Sequence, residues 1–221
     1  MLFSENPQAV PDTQYLDCYI LYSTSSSMSA SRHTELKKTF ELLSEAVSME
    51  LPPDKHLSIC VMSYGDEVKT ELDFVEASDF HYVPKANAQG KAVFNKAIGA
   101  VLRKINERER MLRRMSIIYK TPVLFVLSDG SVSDEDYSEA TRAYLKREIG
   151  NHNVIYVPIA IGDTNEAQLA SSSPPAVPAT VLCASLSTFR DVILKALGEA
   201  KTEEDRIPLT PSNCGVIEIG L

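Results

Sequence analysis

The sequence predicts an α/β fold: a doubly wound, mostly parallel central sheet with one antiparallel edge strand and helices on both faces. Three observations predict it. Short apolar, β-rich runs alternate with longer stretches whose apolar residues recur every three or four positions. One run, Val123–Ser128 (VLFVLS), is apolar on both faces, as a central parallel strand covered on each side must be. The length of 221 residues suits one well-cored domain rather than two.

The strands are expected at Cys18–Tyr22, Leu57–Tyr64, Val123–Ser128, Val154–Ile161 and Thr180–Ala184. Glu67–Asp73 alternates weakly and reads as a short edge strand, joined to the strand before it through a Gly65-Asp66 hairpin turn. Leu36, Phe40, Leu43 and Val47 form one helical face, and Val93, Ala97, Val101 and Ile105 form another. Tyr137, Ala140 and Tyr144 mark a third helix, with Ser133 as its N-cap and Asp134, Glu135 and Asp136 favourable against the helix dipole. Phe189, Val192, Ile193 and Ala196 mark the last. The resulting order, β-α-β-β-α-β-α-β-α-β-α, is the grammar of a doubly wound sheet. Ser171–Pro178 (SSSPPAVP) is too proline-rich for helix or central strand. Residues 1–200 are expected to form the domain and 201–221 a tail packed along it.

Composition narrows the function. Hydrophobic residues make up 44% and charged residues 24%, an ordinary globular balance. A net charge of −8 argues against nucleic acid and against an anionic membrane surface as partners. No run of about 18 apolar residues is present to span a bilayer. The start, MLFSENPQAVPD, lacks the basic and apolar blocks of a secretory signal, so a cytoplasmic location is expected. Cys18, Cys60, Cys183 and Cys214 form no CxxC pair and read as free thiols, the first three within strand-like runs.

In a doubly wound sheet, ligands meet the carboxyl ends of the strands, near the point where strand order reverses. Two loops stand there: Ser23-Thr24-Ser25-Ser26-Ser27-Met28 after the first strand, and Asp129-Gly130-Ser131 after Val123–Ser128. With Gly90-Lys91-Ala92-Val93-Phe94-Asn95-Lys96-Ala97-Ile98 between them, these segments resemble, in order and spacing, the three motifs of the von Willebrand factor A domain. Tyr119-Lys120-Thr121-Pro122, Ser128 to Asp134, Phe189-Arg190-Asp191 and Ile207-Pro208-Leu209 look most like the bacterial, cytosolic tellurite-resistance TerY-type members.

The resemblance implies a metal-ion-dependent adhesion site, Asp-x-Ser-x-Ser with a distant Thr and a later Asp. Magnesium or manganese would there be held by hard oxygens, with one position open to an acidic partner residue. Ser25, Ser27 and Asp129 match the motif and are the candidate metal ligands. Ser23 stands where the family has its first aspartate, and Ala92 where it has threonine. With a single matching carboxylate the site offers little charge to strip water from Mg²⁺. No cofactor is therefore expected, with weak Mg or Mn binding as the alternative; Asp66, Asp134 or Asp136 could supply a missing carboxylate.

Simpler readings stand beside these. The serine run could be a plain loop, and Asp129-Gly130 a plain turn. His33, His56, His81 and His152 lie in no spacing that would activate Ser25, and no Gly-x-Ser-x-Gly elbow is present. A hydrolase using Ser25 or Asp129 is the reading from another class. The basic run Arg103–Arg114 is either a solvated helix face laced with Glu–Arg pairs or a docking surface for an acidic partner. The expectation is a non-enzymatic interaction module whose partner contacts include Ser23, Ser26, Ala92, Ser131 and Asp134. The resemblance implies a bacterial stress-response or defence setting and kinase-like, phosphatase-like or AAA+ ATPase partners.

Overall fold

β1 (Gln14–Ser23) is the spine of the sheet. Eight of its ten residues are buried, and their side chains alternate between two cores. Leu16, Cys18, Ile20 and Tyr22 face one core; Tyr19 and Leu21 face the other. The computed structural model describes residues 13–85, 88–133, 139–162 and 184–198.

Around β1 the described strands are β2 (Lys55–Tyr64), β3 (Val68–Glu76), β4 (Ile118–Tyr119), β5 (Val123–Ser128) and β6 (Ile155–Ala160). The helices are α1 (Ala30–Val47), α2 (Phe94–Arg114), α3 (Glu139–Gly150) and α4 (Leu186–Leu197). Sheet order is β3-β2-β1-β5-β6, with β4 on the Gln14–Tyr15 end of β1. All pairings are parallel except β2 with β3, the predicted antiparallel hairpin, which reaches to Glu76 rather than Asp73. Strand order therefore reverses between β1 and β5. Their register sets Tyr22 beside Leu127, so the two chains leave the sheet side by side.

α1 buries Leu36, Phe40, Leu43 and Val47, the face that the spacing predicts. α4 does so with Phe189, Val192, Ile193 and Ala196, and closes the same core with α1. Its N-cap, Ser185, accepts the Thr188 N–H at 3.1 Å. On the opposite face α2 buries Ala97, Val101 and Ile105 together with Phe94, Ile98 and Leu102. α3 differs from expectation. Ala140 is exposed, and Leu145 is the buried apolar residue, because the helix turns Leu145, Tyr144 and Ile149 to that core. Ser133, named as this helix's N-cap, precedes a stretch (134–138) outside the described residues, which takes in Tyr137; the predicted strand residues 180–183, the loop 171–178 and the tail also lie outside them. Cys18 and Cys60 are free and buried, as read. Burial pushes the Cys60 thiol up to about 12, which leaves it an inert thiol.

A charge is built into the core on the α2 side of β1. Asp17 shares the α2 side of β1 and is nearly buried; Arg108 donates to its Oδ2 at 3.1 Å. The Arg108 guanidinium also lies 4.3 Å from the centroid of Phe74, whose ring meets Tyr19 edge-on. Burial raises the pKa of Asp17 above its ordinary 3.8, and Arg108 opposes that rise. Nearby, Lys104 pairs with Asp73 at 2.9 Å, and Arg113 bonds the Tyr119 hydroxyl and pairs with Glu109. Within the basic run on α2, Lys104 and Arg108 are thus tied to strand carboxylates, and Arg113 with Glu109 forms a Glu–Arg pair on the helix.

Arg108→Met should cost about 3 kcal/mol at neutral pH, the usual loss when one member of a buried pair is removed. A folded-state pKa above the unfolded one means that the charged carboxyl costs stability above that value, and the cost fades as pH falls through it. Losing Arg108 lifts the folded value further, so the deficit should shrink as pH drops toward 3.8. Urea unfolding of both proteins at neutral pH and at about pH 5 measures it.

Candidate functional site

The site lies where β1 and β5 end, at the reversal of strand order. Ser23, the last residue of β1, is buried, and its hydroxyl meets that of Ser25 at 2.9 Å. Ser25 in turn meets the Ser27 hydroxyl at 2.8 Å. A chain of three hydroxyls thus runs from the sheet outward. Ser25 is buried, Ser27 half-buried, and Ser26 exposed between them. Ser23, expected on the contact surface, is instead the chain's inner end: its hydroxyl accepts the Ser25 N–H at 3.3 Å and braces the turn.

The neighbouring loops lock this one in place. Thr24 donates its N–H to the Tyr64 carbonyl at 2.7 Å, at the end of β2. Its own carbonyl accepts Gln89 N–H at 2.9 Å, and Ser26 N–H reaches the Gly90 carbonyl at 3.0 Å. Gly90 adopts φ +76, and a Cβ there would lie 2.0 Å from the Asp66 carboxylate, so only glycine fits. Asp66 accepts the Lys91 N–H at 2.7 Å; it fastens the loop. Ala92 is buried, and its carbonyl accepts Ser133 N–H at 3.0 Å, which ties in the third loop.

At the end of β5, Ser128 accepts the Tyr64 hydroxyl at 3.0 Å and the Gly130 N–H at 3.0 Å. Burial raises the Tyr64 pKa, which keeps this hydroxyl a donor. Asp129 follows with a fully buried side chain. Its Oδ1 accepts Ser131 N–H at 3.1 Å, and its Oδ2 accepts Arg32 Nη1 at 2.9 Å. The same nitrogen donates to the Ser27 carbonyl at 2.8 Å. Arg32 is the functional residue that sequence reading missed. His33, its neighbour, is the histidine singled out by position. Its ring pKa is lowered chiefly by burial and then by Lys37, and its Nε2 is buried without a partner.

The structure therefore brings Ser23, Ser25, Ser27 and Asp129 to one apex. Ser25, Ser26, Ser27, Ala92 and Ser131 line an open depression of about 340 Å³, joined by Gly90, Lys91, Val132 and Ser133. Asp134 and Asp136 lie outside the described residues. Among the described residues no three His, Cys, Asp or Glu side chains cluster as a metal site. The donor set here is a run of neutral hydroxyls and one carboxylate already paired with a guanidinium. A hard dication needs anionic oxygens to repay its lost water, and these residues do not fit one.

The sequence profile of the von Willebrand factor type A domain matches residues 17–189. No curated protein matches the sequence. Solved structures with a similar fold include a von Willebrand factor type A protein from Catenulispora acidiphila, with TM-score 0.55 and 16% identity over 84% of this chain and 43% of that one. The manganese-loaded TRAP protein of Plasmodium vivax matches with TM-score 0.52 and 18% identity, over 83% of this chain and 73% of that one. Proximal thread matrix protein 1 from the mussel byssus matches with TM-score 0.50 and 16% identity, over 86% of this chain and 47% of that one. This chain thus spans less than half the length of the bacterial and mussel proteins.

Tyr64→Phe removes the donor to Ser128 from a buried bond and should cost about 1 kcal/mol, with the fold intact. Denaturant unfolding with circular dichroism of the native state checks both.

Proposed function

Since the chain belongs to the von Willebrand factor type A domain family, we propose that it is a non-enzymatic protein-interaction module that binds a protein partner at its strand-end loops without a metal bridge. The observation that carries this is the apex itself. Three loops are cross-linked by backbone hydrogen bonds around an open depression, while the carboxylate beneath them is already neutralised. A rigid, polar, concave surface of this kind offers hydroxyls and backbone groups for direct hydrogen bonds at low ordering cost. Ser26, Lys91 and Ser131 are the contact residues, with Ala92 giving the floor an apolar spot.

The surroundings of Ser25 and Asp129 support the non-enzymatic reading. The hydrogen-bond partners of the Ser25 hydroxyl are Ser23 and Ser27, neither of which is a base. Asp129 is engaged by Arg32 and the Ser131 N–H rather than facing a nucleophile.

The TerY-type motifs support a bacterial, cytoplasmic stress-response or defence role, with a kinase-like, phosphatase-like or AAA+ ATPase partner. Among the described residues no helix is long and apolar enough to cross a membrane. The test is capture of bacterial lysate proteins on the immobilised chain, with Ser26→Arg/Ser131→Arg as control. The same partner should be retained in EDTA and in excess Mg²⁺ and lost by the double variant. Retention that strictly requires Mg²⁺ contradicts the reading.

A further inference from the structure

We propose that Arg32 is the resident cation of the apex: a tethered guanidinium that neutralises Asp129, cross-links it to the serine loop, and thereby keeps divalent ions out. One nitrogen makes both bonds, 2.9 Å to Asp129 Oδ2 and 2.8 Å to the Ser27 carbonyl. That is the double task of a bound ion, which screens a buried carboxylate and ties it to a neighbouring loop. Asp129 and Arg32 together carry no net charge. A dication arriving at Asp129 would find its carboxylate already neutralised, with no excess of negative charge there to offset the lost hydration.

Two further features show that the placement is built rather than incidental. Arg32 sits in the first turn of α1, where the helix dipole disfavours a cation. Its bonds to Asp129 and to the Ser27 carbonyl offset that cost. Its stem also runs over Gly162, just past the end of β6. That glycine adopts φ +82, and a Cβ on it would lie 2.7 Å from the arginine Cγ. A third strand end is thus pared to the backbone to let the arginine pass. The Arg32 side chain keeps 31% of its surface exposed while that of Asp129 has none, so the pair lies between the buried carboxylate and solvent.

The test asks whether Arg32, and not merely the missing aspartate at position 23, excludes metal. On the full chain, Ser23→Asp restores a second carboxylate next to Ser25. Ser23→Asp/Arg32→Ala restores it and removes the guanidinium. Calorimetric titration with Mn²⁺ should show the double variant binding at least tenfold more tightly than Ser23→Asp alone. Equal affinities, or no binding by either, overturn the exclusion. Because an aspartate at a buried position can unfold the chain, a second measurement uses melting temperatures. Arg32→Met should melt roughly 5 °C lower than the parent. In an Asp129→Asn background the same change should cost less than half as much. Equal losses in the two backgrounds overturn the pairing. Neither readout involves the partner, so a failed capture experiment and a failed resident cation remain distinct results.

Discussion

A carboxylate with no exposed surface at the end of a central strand must be neutralised, and that constraint organises the apex. Asp129 lies there because β5 runs parallel to β1 and both end at the reversal of strand order. Left unpaired, such a charge would cost several kcal/mol. The chain meets the demand with Arg32 from the start of α1, and the arginine in turn fixes the Ser27 carbonyl and the serine turn around it. Fold and site are therefore one problem: the sheet brings the loops together, and the ion pair settles how they sit.

The same logic recurs deeper along β1. Asp17 points to the α2 core among Tyr19 and Cys60, and an arginine from a helix again meets it, with Phe74 beneath the guanidinium. In both places a long, planar cation reaches from a helix to a strand carboxylate, a role suited to arginine's fixed fork of donors. The difference lies in what surrounds them. Asp17 is enclosed by apolar packing and serves the fold, whereas Asp129 borders hydroxyls and an open depression.

Much of the architecture was legible in the sequence because period and burial agree. The both-face apolar run at Val123–Ser128 suits a central strand, and the faces of α1 and α4 follow from spacing alone, as does that of α2 apart from Val93, which is its half-buried N-cap. α3 was less legible: Ala140 fits the period, but one short residue cannot outweigh Leu145. The loops at the apex were legible as motifs, and Ser25, Ser27 and Asp129 do converge. Arg32 was not. Its partner lies 97 positions away, and nothing local in Ser31-Arg32-His33 marks which side chain turns inward. The one available clue was electrostatic: a cation in a helix's first turn, with Asp129 brought near by the topology, calls for a partner. Ser23 shows the converse error. Position placed it in the contact loop, whereas strand parity and burial make it the inner brace.

Whether a guanidinium rather than a metal holds the apex can be read from a crystal structure determined after soaking in manganese, with anomalous scattering used to locate the ion. No anomalous peak is expected among Ser25, Ser27 and Asp129, with the Arg32 head group on Asp129. An ion bridging those three residues, with Arg32 swung away into solvent, would contradict it.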